Sequence, residues 1–118
     1  MLGSDQENRA LLTTQRIRQL NDTFRRTGKG GRVFMTDGVM SLSPATRVAL
    51  AAAVRVFDDF TPGNDPHQEH DFGALSVAGH RLFWKIDYYD TALTYRSPDP
   101  SDPAVTTRVL TILLASEY

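Results

Sequence analysis

The densest group of side chains able to do chemistry is His67, Glu69, His70 and Asp71, in the stretch TPGNDPHQEHD. Imidazoles and carboxylates together suit zinc, manganese or iron, and a catalytic centre needs three such ligands and one open position. The spacing H-x-E-H-D differs from the helical H-E-x-x-H pattern, which sets both histidines on one face. Two prolines, a glycine and Asn64-Asp65 make residues 61–70 a loop, where any spacing can converge. The four are therefore candidate metal ligands, the centre of a small metal-dependent hydrolase or nuclease with Asp87 nearby. Set against this is a loop whose polar side chains cap its own backbone and meet solvent.

A second group is Asp87-Tyr88-Tyr89-Asp90. On a strand, Asp87 and Tyr89 share one face while Tyr88 and Asp90 share the other. Tyrosine offers rigid contact area with a polar tip, and carboxylates add directional acceptors. One tyrosine is expected in the core; Asp87, Tyr89 and Asp90 are the candidate protein-binding residues. A third group, RRTGKGGR, offers Arg25, Arg26, Lys29 and Arg32 to an anion or nucleic acid, with glycines that let backbone amides approach phosphate. A phosphate-cradling loop follows a strand and opens a helix. Here a helix precedes the loop and a strand follows, so a capped helix and a solvated turn are the simpler reading. Asp58-Asp59, at the unfavourable end of a helix dipole, calls for a compensating cation, with Arg81, Lys85 or Arg108 as candidates. No nucleophile elbow accompanies the serines, so no hydrolase of that type is expected.

The elements that must position these groups are legible in outline. Residues 5–27 favour helix, with Ile17, Leu20 and Phe24 on one stripe, Leu12 as a further turn and Gly28 as the stop. Val33, Phe34 and Met35 predict a short strand. Ser43 as N-cap with Pro44 at the first helical position starts a second helix, running to about Asp58 with Leu50, Val54 and Phe57 inward. The stretch His70 to Asp90 reads as two strands joined at Ala78-Gly79, and Leu82, Trp84, Ile86 and Tyr88 alternate onto one face. Thr91 to Tyr95 extends the second strand. Prolines 98, 100 and 103 make a stiff acidic connection. The last segment, AVTTRVLTILLASEY, fits a helix from Asp102-Pro103 or a buried strand; the strand is preferred because the hairpin needs a further partner. The expected fold is α+β, with two helices packed on one face of a small antiparallel sheet of about four strands, in the order α-β-α-β-β-β. A single domain spans 1–118, with residues 1–8 frayed.

Composition narrows the function classes. The chain has 118 residues, 41% hydrophobic and 23% charged, which is globular and sufficient for one core. There is no cysteine, hence no disulfide, thiolate metal site or thiol nucleophile. MLGSDQENR lacks the basic and apolar runs of a signal peptide, and no apolar stretch is long enough for a membrane span. A cytoplasmic protein is expected. Residues 1–60 carry +3 and residues 61–118 carry −4. That asymmetry is too small for strong nucleic-acid binding and far too small for an acidic DNA mimic.

FDDFTPGNDPHQEHDFG (57–73), FWKIDYYD (83–90) and TTRVLTILLASEY (106–118) together resemble a small bacterial family known only as a domain of unknown function. The resemblance covers roughly Ile17 to Tyr118. It implies a short single-domain protein of the kind often encoded on plasmids and other mobile elements, with no assigned activity, cofactor or site residues. That setting points to conjugation, plasmid maintenance or the blocking of a host defence. The expected function is a non-enzymatic protein-binding accessory or anti-defence factor with no cofactor. The alternatives are a metal enzyme on the His67–Asp71 loop and a nucleic-acid binder through Arg25–Arg32.

Overall fold

A computed structural model describes residues 2–118, with side chains from Ser4 onward. Helix α1 spans Leu2–Thr27, so it begins within the stretch expected to fray; Met1 lies outside the described residues. Its apolar stripe docks only from Ile17, which is buried with Phe24, while Leu12 is left exposed. Gly28 ends the helix in a left-handed conformation, its N–H donating to Phe24 O at 2.7 Å.

After strand β1 (Gly31–Met35) comes a helix that the sequence reading lacks, α2, a single turn over Asp37–Met40. The Thr36 side chain caps it by accepting from Val39 N–H. Helix α3 (Pro44–Arg55) starts as its sequence predicts, with Ser43 accepting from Thr46 N–H and Pro44 in the first turn. It stops three residues short of Asp58. The chain there turns so that Phe57 packs edge-on against Phe60 and Trp84, at ring separations of 5.2 and 5.5 Å.

Strands β2 (Phe72–Val77) and β3 (His80–Tyr89) form the expected hairpin, with Val77 opposite His80. Ala78 and Gly79 both have positive φ, 51° and 82°, the two-residue turn whose twist matches the strands. The last segment is a strand, β4 (Thr107–Leu114), followed by one 3-10 turn over Ala115–Glu117. Residues 91–95 do not extend β3. Leu93 N–H and Thr94 N–H donate to the Asp90 carbonyl and carboxylate, the chain reverses, and Arg96 pairs back against Tyr89.

The sheet order is β1-β4-β3-β2. β2 and β4 each pair antiparallel with β3, but β1 pairs parallel with β4, from Gly31 opposite Arg108 to Met35 opposite Ile112. The sheet is thus mixed rather than antiparallel, because the chain crosses over through α2, α3 and the hairpin before β4 is laid beside β1. The core joins Phe24 of α1, Val39 of α2, and Leu50 and Val54 of α3 to Leu82, Trp84, Ile86, Leu110 and Ile112. Register places those five strand residues on one side of the sheet.

Trp84 is fully buried and its indole lies against Gly73 on the neighbouring strand. A Cβ at Gly73 would fall 2.6 Å from Trp84 Cε2, so the glycine is a packing requirement. Gly73→Ala should cost about 1–3 kcal/mol through overpacking. Urea unfolding followed by Trp84 fluorescence would measure it, and an unchanged midpoint would refute this account of the core.

Candidate functional site

Asn21 in mid-α1 is fully buried. Its Nδ2 donates to the Tyr88 hydroxyl at 2.8 Å and to Glu69 O at 2.9 Å, and its Oδ1 accepts from Arg108 Nε at 2.7 Å. The Tyr88 hydroxyl in turn donates to Glu69 Oε1 at 2.8 Å. Arg108, 3% exposed, lies over the Tyr88 ring and donates to Pro100 O. Burial lowers the Arg108 pKa and raises that of Tyr88 well above its ordinary value, so the phenol remains a neutral donor. Ser97 and Thr106 hydroxyls meet at 2.7 Å and Thr106 donates to Asp99 O, which pins the proline-rich connection beside this network.

The loop expected to offer metal ligands divides its side chains among separate partners. His67 is exposed. Glu69 belongs to the Tyr88 network. His70 stacks on Phe60 with ring centroids 3.7 Å apart, its Nδ1 2.9 Å from Asp22 Oδ1 and its Nε2 3.6 Å from Asp65 Oδ2. Asp71 lies at the head of β2, its carbonyl accepting from Ile86 N–H. Among the described residues, no group of three or more His, Asp or Glu side chains is placed to hold a metal ion. The residues that complete these contacts, Asn21 and Asp22, come from α1, forty-eight positions away from their partners Glu69 and His70. In the sequence both stand in a polar stretch of an amphipathic helix, which carries no signal of these contacts.

Asp71 opens onto a cleft of about 330 Å³ that also contains Asp87, Tyr89 and Arg96. Desolvation, then the neighbouring Glu69, raises the Asp71 pKa. Asp87 and Tyr89 lie on the sheet face opposite Trp84, together with Phe83, Lys85 and, across the ladders, Phe34, Phe72, Val109 and Leu113. Asp87 pairs with Lys85 at 3.1 Å, both side chains about two-fifths exposed. Asp90 does not join them; its carboxylate caps the turn at Thr94.

The basic run separates in the same way. Arg26, Lys29 and Arg32 are exposed, but Arg25 is 1% exposed and belongs to the interior. Its Nη1 donates to Val54 O and Arg55 O at 3.0 and 3.1 Å, its Nη2 to Asp22 at 3.2 Å, and its guanidinium lies over the Trp84 and Phe60 rings. Desolvation lowers its pKa. Arg25 thus supplies the cation that the end of α3 requires. The three residues expected there are engaged elsewhere: Arg108 with Asn21, Lys85 with Asp87, and Arg81 3.5 Å from Ser76.

The fold is therefore mixed α+β, with a four-stranded sheet and three α-helices among the described residues. Residues 35–117 match the family described as "Protein of unknown function (DUF3768)", and the chain belongs to that family. No curated protein and no solved structure matches it.

Two measurements test the energetics of the site. Asn21→Leu removes the acceptor of a buried guanidinium and should cost about 2–3 kcal/mol, the loss of a charge-assisted hydrogen bond. In the double variant with Arg108→Met the two losses should fall short of additivity by about 1 kcal/mol or more; strict additivity in urea titrations would break the assigned contact. For Asp71, the folded state binds the proton more tightly than the unfolded state. Stability is therefore lost as pH rises from the unfolded carboxylate value through the raised folded one. Asp71→Asn should raise the unfolding midpoint at pH 7 and make no difference near pH 3. A midpoint lowered at pH 7 would contradict the desolvated carboxylate.

Proposed function

We propose that this chain is a non-enzymatic protein-binding module, a cytoplasmic accessory or anti-defence factor of a bacterial mobile element. The observation that carries the reading is the sheet face opposite Trp84. Phe34 and Tyr118 are 52% and 79% exposed on it, and Phe83 joins Phe72 and Tyr118 at ring separations of 5.4 and 5.3 Å. Aromatic surface around a central polar pair is the composition of a protein interface, with aromatic anchors for affinity and the pair for orientation. Lys85–Asp87 is that pair, and Tyr89 stands beside it. The mobile-element setting is what the resemblance of residues 57–73, 83–90 and 106–118 to a family often encoded on plasmids implies.

The partner this face fits is a folded protein with a shallow apolar surface and its own opposite charges for Lys85 and Asp87. Wild-type bait in nuclease-treated bacterial lysate should retain one protein in stoichiometric amount. An Asp87→Lys/Tyr89→Ala bait with an unchanged circular dichroism spectrum should lose it, since two central contacts at about 2 kcal/mol each amount to more than a hundredfold in affinity. Equal retention by both baits, or retention of nothing by either, would overturn the proposal.

A further inference from the structure

We propose that the free edge of β1 captures an extended acidic segment of another protein as a fifth strand, with one apolar side chain of that segment seated between β1 and α3. β1 is the outermost strand, and its one neighbour is β4. Thr36 N–H donates to Ile112 O at 3.1 Å. The strand alternation then turns the amides of Arg32 and Phe34 toward β4 and those of Val33 and Met35 outward. Among the described residues no backbone hydrogen bond reaches that outer side. β1 has no proline and Val33 is 47% exposed, so its outward amides are open to pairing, with the charge of Arg32 as the edge's protection against a like-charged strand.

Directly beside this edge is a cavity of about 160 Å³, walled by Val33, Met35, Ala51 and Val54 and floored by Leu110 and Ile112. An apolar cavity of roughly 150 Å³ is enough for benzene, so one Leu, Ile, Met or Phe side chain fits. Arg25 also lines it, and its buried Nε–H has no acceptor among the described residues. Strand addition supplies both needs: main-chain hydrogen bonds give affinity, and a pocket for alternate side chains gives specificity. Exposed Arg55 lines the cavity and exposed Arg32 lies on β1 itself, and neither has an ion-pair partner among the described residues. They select Asp or Glu on either side of the apolar anchor, and they disfavour a second copy of this basic edge through like-charge repulsion. The edge and cavity are distinct from the Lys85–Asp87 pair at the centre of the proposed interface, although Phe34 of β1 borders both, so variants at Val33 and Ala51 test one reading and variants at Asp87 and Tyr89 the other.

The test is selection of displayed random nonapeptides on the full-length chain, followed by fluorescence anisotropy with the most enriched peptide as the labelled probe. Enriched sequences should place acidic residues around a single Leu, Ile, Met or Phe. Affinity should fall at least tenfold in Val33→Pro, which removes an outward N–H at an edge where proline is tolerated. It should fall similarly in Ala51→Leu, which fills the cavity, and in raised salt, while Asp87→Lys/Tyr89→Ala leaves it unchanged. No enrichment, enrichment of basic or unanchored sequences, or equal binding by both folded variants would overturn the proposal. So would a concentration-dependent dimer in sedimentation that Val33→Pro abolishes, since a second copy would then hold the edge.

Discussion

A side-chain amide in the middle of α1 has two donors and one carbonyl oxygen to satisfy, and burial removes water as a partner. Asn21 meets that constraint by bonding at once to the loop before β2, to β3 and to β4, through Glu69 O, the Tyr88 hydroxyl and Arg108. Each of those groups is itself expensive to bury. A guanidinium at 3% exposure is tolerable only while its N–H groups are occupied. The network is thus mutually conditional: the helix can dock because the strands present the right polar atoms, and the strands can bury them because the helix arrives. Arg25, one turn further along, does the same for the end of α3.

What the sequence made legible was what depends on near neighbours. The alternation through Leu82, Trp84, Ile86 and Tyr88 sets the face of β3, Ser43-Pro44 sets the start of α3, and Gly28 sets the end of α1. The parallel pairing of β1 with β4 was not legible, since GRVFM has the same pattern whichever way its neighbour runs. α2 is a single turn, shorter than any periodicity. Arg25 reads as part of an anion-binding run and Arg108 as a partner for Asp58-Asp59, because the carbonyls of Val54 and Arg55 lie 29 and 30 positions from Arg25 and Asn21 lies 87 from Arg108. The loop from His67 to Asp71 presented its residue types plainly. Only the placement of Asp22, Asn21 and Phe60 decides that His70 and Glu69 face structural partners.

The family match begins at Met35, so α1 and nearly all of β1 precede it. Yet the interior of the matched segment closes through side chains from before it. Without Asn21 and Arg25 the Arg108 and Tyr88 groups would lose their acceptor and donor, Trp84 would lose the guanidinium over its ring, and the carbonyls ending α3 would lose theirs. The matched segment and the helix preceding it are one cooperative unit, and the proposed β1 groove lies at their seam.

α1 is longer than its docking requires. From Ser4 to Thr13 every side chain is exposed, and the helix rests on the sheet only beyond that point. Helices that short are marginal alone, because the first hydrogen-bonded turn is costly while each added residue is nearly free. The anchored half bears that initial cost, and the outer turns extend from it by propagation alone. Their helicity is therefore a local equilibrium laid on top of the global one. It should melt gradually from the outer end on warming, while the environment of Trp84 still reports a single sharp transition.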